Sequence, residues 1–254
     1  MAAFVRRADP DRYLTALFAP EPRRETLLLL YAVNHELARA REAAHEPMMA
    51  LIRLQWWREV AEGARRHHEI ATPLAAALDE GRIARADILA LIDGREAEAE
   101  PAIATRAAWQ DYVRGTAGAL ARAAGRVLGA EDATLDRLAA LGTAYGVAGQ
   151  VRNVAALAGQ GRCLLPLDAL AAAGLTAAAV VARPEAAQPV LNELRNWGRA
   201  LLHEAGGRMP RKVIAAALPA ALARRDLRRA EPPQGPRGFG DQAAVLAAFV
   251  VGRV

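Results

Sequence analysis

The chain has 254 residues, 53% of them hydrophobic and only 5% aromatic, and its 33 basic residues against 28 acidic ones leave a net charge of +5. One cysteine, Cys163, excludes an internal disulfide and a Cys-Cys zinc pair, and the absence of serine excludes every serine nucleophile. Lys212 is the only lysine and is followed by Val213, so the Gly-Lys-Ser/Thr phosphate loop is excluded as well.

Helical periodicity dominates and β-branched alternation is almost absent. Pro20-Glu21-Pro22 opens an apolar segment in which Leu27, Leu28, Leu30, Tyr31, Asn34, His35 and Ala38 recur at three and four residues, to about Glu46, where Pro47 stops it. A second helix is predicted from Met48 to about Gly63, with Leu51, Leu54, Gln55 and Arg58 on one face and Trp56 and Trp57 beside it. Shorter helices at 72–80 and 86–100 lead to Pro101. Two long segments, 103–128 and 133–158, are separated by Gly129-Ala130-Glu131-Asp132, where an acidic residue is placed to cap the second. Further helices are predicted at 166–172, 176–181, 189–205 and 210–229. The tail from Arg229 to Asp241, with three prolines and three glycines, reads as a loop or linker before a last short helix capped by Asp241. The result is an all-α, single-domain bundle over residues 1–254. Glycines at helical spacing, Gly125, Gly142, Gly146 and Gly149, either let helices approach closely or leave room for a ligand.

Charge and hydropathy narrow the partners. Arginine pairs are spread along the chain, and the densest stretch, Arg208 to Arg229, reads as a helix whose last turn suits its dipole. Abundant alanine and arginine reflect coding bias, so no nucleic-acid partner is expected. The apolar runs 27–33 and 243–252 fall short of the roughly 20 residues that span a bilayer. Met1–Val5 is too short for a signal core, and a cytoplasmic location, peripheral to the inner membrane at most, is expected.

Metal motifs fail on spacing. His35-Glu36 lacks a second histidine one turn on, His67-His68-Glu69 sits in a turn before Pro73, and His45 and His203 are isolated, so no metal site is expected. Cys163, beside leucines, reads as core.

Five stretches carry a resemblance: Tyr31 to Glu42, Arg53-Leu54-Gln55-Trp56-Trp57-Arg58-Glu59, Leu91-Ile92-Asp93-Gly94-Arg95-Glu96, Gln150-Val151-Arg152-Asn153, and Gly161-Arg162-Cys163-Leu164-Leu165-Pro166. In this order and spacing they resemble the squalene/phytoene synthase family, which implies the isoprenoid-synthase fold, an antiparallel helical bundle around a central pocket. Active members condense two prenyl diphosphates with Mg²⁺ held by two aspartate-rich motifs on facing helices. At the positions matching the first motif stand Ala38 and Glu42, with Arg39 between them. The second motif should follow Gln150 and Asn153, yet its matching position is Leu157, and no Asp or Glu occurs between Asp136 and Asp168. No cofactor is therefore expected, and Mg²⁺ only if prenyl transfer persists. The matches at Tyr31, Gln150 and Asn153, with His35 and Glu42 beside them, make these the candidates for lining a pocket that takes a prenyl or lipid ligand; the alternative for Tyr31, Gln150 and Asn153 is that they hydrogen-bond one another inside the bundle. Asn34-His35-Glu36-Leu37 is similar to a pattern in a subgroup of this family that assembles respiratory complex I. The expectation is a non-catalytic binding or assembly factor with a protein partner, set against a prenyltransferase with an atypical site.

Overall fold

The computed structural model describes residues 1–42 (Glu42 by its backbone), 46–100, 102–229, 235 and 237–254. His45 and most of the loop expected at 230–240 lie outside the described residues. The long helices follow the periodicity closely: α3 (Glu21–Glu42) and α4 (Pro47–Glu62) pack against each other. Two helices that hydrophobic periodicity leaves unmarked precede them, α1 (Ala2–Ala8) and α2 (Pro10–Ala16). The second has a local cause. Asp9 stands at its N-cap and accepts from the Arg12 amide at 3.0 Å, and Pro10 occupies the first position, where a missing N–H costs nothing.

The buried face of α4 is Ala50, Leu54, Trp57, Val60 and Ala61, while Leu51 and Gln55 face out. The expected grouping of Leu51, Gln55 and Arg58 with Leu54 is thereby corrected: Trp57, three residues after Leu54, turns the core face the other way, and Arg58 bridges outward to Asp93 and Glu96 at 2.7 Å.

After α5 (Ala71–Asp79) and α6 (Arg85–Glu96), the segment expected as one helix over 103–128 is instead α7 (Arg106–Val113), a π-helical turn at Arg114–Gly118, and α8 (Ala119–Val127). The widened turn fits its setting. A side chain on Gly94 of α6 would overlap the Gly115 backbone, so the two backbones are in contact there.

Helix α9 (Asp132–Gly159) is the axis of the bundle, packed against α8, α12 (Gln188–Ala205), α14 (Pro219–Arg228) and the π turn. Glu131 stands at its N-cap but its carboxylate makes no capping bond, contrary to the cap expected. The glycines divide. At Gly142 an added Cβ would overlap the Ala121 side chain and lie 2.6 Å from the Ala117 carbonyl, whereas at Gly149 nothing lies within 4 Å. The first permits close helix packing; the second opens a cleft.

Shorter helices α10 (Leu167–Ala172) and α11 (Ala177–Ala182) lead into α12, and the helix expected over 210–229 is broken into α13 (Ile214–Ala217) and α14. Pro219 begins a new helix, and residues 207–209 pair with the end of the chain, Met209 N–H donating to Gly252 O at 3.1 Å. The last helix is α15 (Phe239–Val251). Asp241 lies inside its first turn, the cap position being Gly238, and its buried carboxylate accepts from Arg225 at 2.6 Å. Among the described residues there is no strand, and no helix is long and apolar enough to cross a membrane.

Candidate functional site

A cleft of about 460 Å³ opens between α2, the π turn and α9, lined among others by Asp11, Arg12, Arg95, Tyr112, Gln150, Asn153 and Arg237. Arg12 and Tyr145 also border a second, adjoining pocket beside Tyr31, Leu141 and Ala217, which holds about 10 Å³, hardly room for one water. The site is thus an open polar mouth beside a filled interior.

The side wall of the mouth is a chain of polar groups that runs from α3 to α9. Arg95 donates to the buried Asn34 Oδ1 at 3.1 Å and to Glu98 Oε1 at 2.7 Å. Tyr112 donates its hydroxyl to the same Glu98 oxygen at 2.6 Å, and Gln150 donates its amide to Tyr112 at 3.2 Å. Burial, and then the Glu98 charge, raise the Tyr112 phenol far above its ordinary value, so it stays a neutral donor. Every residue of the chain has a hydrogen-bond partner, although the buried Nε of Arg95 has none.

A second set closes the outer edge. Asp11 accepts from Arg237 through two guanidinium nitrogens, both at 2.9 Å from Oδ2, and from the Tyr145 hydroxyl at 3.0 Å. Arg237 also reaches Asp226, which is 1% exposed, at 2.8 Å, and Arg152 donates to the Gly235 carbonyl at 3.1 Å. Arg12, paired with Asp9 at 2.7 Å, lies over the ring of Tyr145 at 4.9 Å and that of Tyr31 at 5.9 Å. Desolvation opposes its charge, but Asp9 and the two phenols outweigh that and raise its pKa. Burial also raises Tyr31 and Tyr145.

Of the residues singled out in the sequence, Gln150 and Asn153 line the mouth together, and Tyr31 sits beside it in the filled interior. His35 does not join them; its ring meets Phe4 edge-on, 5.6 Å between centroids. Ala38 is half-buried, and Arg39 faces a separate surface pocket of about 350 Å³ with Trp56 and His68, paired with Glu36 at 3.5 Å. Leu157 is half-buried on α9, and the Glu42 side chain lies outside the described residues. Among the described residues no three His, Cys, Asp or Glu side chains gather as a metal-holding group. Cys163 is buried, and burial raises its thiol pKa.

Sequence reasoning missed Arg12, Glu98, Tyr112, Tyr145, Asp226 and Arg237. Arg95 lay inside a recognised stretch and could have been assigned to the site. For Arg237, in a Pro/Gly-rich tail 226 residues from Asp11, no local signal existed.

A family model for squalene/phytoene synthase matches residues 5–244. The chain belongs to the squalene/phytoene synthase family. Two solved structures share the isoprenoid-synthase fold. A dehydrosqualene synthase in complex with ligand superposes with a TM-score of 0.78 at 13% identity, covering 98% of this chain and 94% of that one. The squalene synthase HpnC from Alicyclobacillus acidocaldarius superposes with a TM-score of 0.66 at 20% identity, covering 98% and 92%. Among curated proteins, similar relatives are "NADH dehydrogenase (ubiquinone) complex I, assembly factor 6" of Mus musculus, 26% identical over 170 residues, and its Homo sapiens counterpart at 25%. Each alignment covers 65% of this chain and 51% of the relative, so the match spans about half the length of these family members.

Proposed function

We propose that this squalene/phytoene synthase family member is a non-catalytic assembly factor whose client is a respiratory complex I. The observation that carries the reading is the polar chain from Asn34 through Arg95, Glu98 and Tyr112 to Gln150, which joins the two helices on which active members hold Mg²⁺. Ionising a diphosphate draws its catalysis from positioning and charge neutralisation. A Mg²⁺ shell calls for several carboxylate oxygens. Here the carboxylates at the mouth, Asp9 and Asp11, are each held by arginine, and α9 has no acidic residue after Asp136. Among the described residues the donor set does not fit Mg²⁺.

The space supports the same reading. A site for a drug-sized ligand takes roughly 300–1,000 Å³; the mouth at about 460 Å³ is within that range, while the adjoining space beside Tyr31, at about 10 Å³, is too small for a prenyl tail. A second reading, prenyl transfer at an arginine-lined site, draws on Arg12, Arg95, Arg152 and Arg237. Each of these already faces a carboxylate within 4.0 Å, so a diphosphate would have to displace those partners.

The test is genetic. Deleting the gene in its host should lower the amount of assembled complex I on native gels and the NADH dehydrogenase activity of membranes, and the wild-type gene should restore both. Unchanged complex I in the deletion strain contradicts the proposal.

A further inference from the structure

Helix α15 is apolar on nearly every face. Val245 is buried inward, while Phe239, Leu246, Val250 and Val251 point out at 86%, 52%, 61% and 64% exposure. Its one charged residue, Asp241, is buried against Arg225. A helix that is hydrophobic all round is normally covered on all sides, and residues 239, 242–243, 246 and 250 share one stripe at helical spacing. Gly252, in the left-handed conformation at φ +74°, ends the helix so that Arg253 turns back to pair with Arg208.

The surroundings are cationic. Residues 206–254 hold nine basic residues and three acidic ones. Of the acidic residues, Asp226 and Asp241 are buried in ion pairs. Around the C-terminal end of α15, Arg211 donates to the Phe249 and Val250 carbonyls, and Arg208 and Arg253 are exposed side by side. Arg224 is held below its ordinary pKa by burial and then by repulsion from Arg228, one turn on in α14, and from Arg253. Lys212 is exposed next to Arg211.

We infer that the outward face of α15, with Arg208, Arg211 and Arg253 at its end, docks on an anionic phospholipid surface, the helix lying in the plane of the interface. Thirteen residues reach about 20 Å, too short to cross the roughly 30 Å hydrocarbon layer, which leaves the in-plane geometry of an interfacial helix. A second copy of the chain is a poor occupant, because a two-fold interface sets the same patch against itself and would bring the arginines face to face. Anionic headgroups instead supply the complementary charge for the ring while their acyl boundary takes Phe239, Leu246 and Val250. The inference is independent of the assembly-factor reading.

The experiment is flotation of the full chain with vesicles of phosphatidylcholine alone or with about 30% phosphatidylglycerol, as a function of salt, since headgroup attraction is screened within a Debye length. Binding is expected to the anionic vesicles and to weaken as salt rises. The exposed-site variant Leu246→Asp/Val250→Asp should lower the partition coefficient by more than about tenfold, and Arg208→Glu/Arg253→Glu should remove the preference for anionic lipid. Thermal melts monitored by circular dichroism establish that both variants remain folded. Failure of wild-type protein to float with anionic vesicles overturns the inference. So does equal binding by Leu246→Asp/Val250→Asp, or loss of binding only on Ile52→Asp in the other apolar patch, on α4. A wild-type dimer in sedimentation equilibrium that Leu246→Asp dissolves would assign the face to a second copy and overturn it too.

Discussion

The Gln150 side chain on α9 donates to the hydroxyl of Tyr112 on α7 at 3.2 Å, and through Tyr112 it is linked to Glu98, Arg95 and the buried Asn34 of α3. Hydrogen bonds thus link α3 to α9 by way of Arg95, Glu98 and Tyr112. Such a chain holds the helices at one spacing without a ligand.

Tyr112→Phe removes the shared hydroxyl and leaves both Glu98 and Gln150 short of a partner. Leaving a buried polar group unsatisfied costs about 1–3 kcal/mol, and urea denaturation should show a loss of stability in that range with an unchanged m-value. A loss near zero would mean that water replaces the hydroxyl.

Arg237→Ala should destabilise more, by about 3 kcal/mol, because it removes the hydrogen-bonded partner of the buried Asp226 and leaves it only the longer contacts to Arg152 at 3.7 Å and Arg229 at 3.9 Å. A double-mutant cycle of Arg237→Ala with Asp226→Ala should show strong coupling. The exposed pair Arg65 and Asp79, put through the same cycle, should couple by less than about 1 kcal/mol.

The glycines of α9 give opposite expectations on one helix. Gly142→Ala drives a methyl into Ala121 and the Ala117 carbonyl and should cost about 1–3 kcal/mol as an overpacked core. Gly149→Ala meets nothing within 4 Å and should raise stability by about 0.5–1 kcal/mol through helix propensity. Melting temperatures of the two variants, measured together, check the pair.

Asp241 gives a pH dependence. Burial alone would raise its pKa, but the Arg225 hydrogen bond and the charges of Arg229 and Arg237 outweigh it, and the carboxylate lies below its usual value. A folded-state pKa below the unfolded one adds stability that is fully present above the unfolded value, about 4, and lost as pH falls through the folded one. The melting temperature should therefore drop as the pH is lowered from about 4, and Asp241→Asn should flatten that part of the curve.

The α3, α4 and α9 helices were legible because their apolar positions recur at three and four residues over several turns and prolines or glycines mark their ends. The α1–α2 pair was not, since its signal is a local cap, Asp9-Pro10, rather than a periodic face. The face of α4 was misread because two adjacent tryptophans satisfy either register, and only packing against α3, α5 and α6 selects Trp57 as the buried one. At the site, Gln150 and Asn153 were legible from resemblance. Asp11, Tyr145, Asp226 and Arg237 were not, because they meet only through contacts between distant parts of the chain, such as the 226-residue separation of Asp11 and Arg237. The carboxylate gap between Asp136 and Asp168 needed no structure, being a count along one helix.

Diphosphate release from farnesyl or geranylgeranyl diphosphate, measured with purified protein in the presence of Mg²⁺, decides between a non-catalytic protein and a prenyltransferase. A non-catalytic protein releases diphosphate no faster than a protein-free control, with no change on Glu42→Ala, and this is the expected result. Turnover at rates of an ordinary prenyltransferase, abolished by Glu42→Ala, would contradict it.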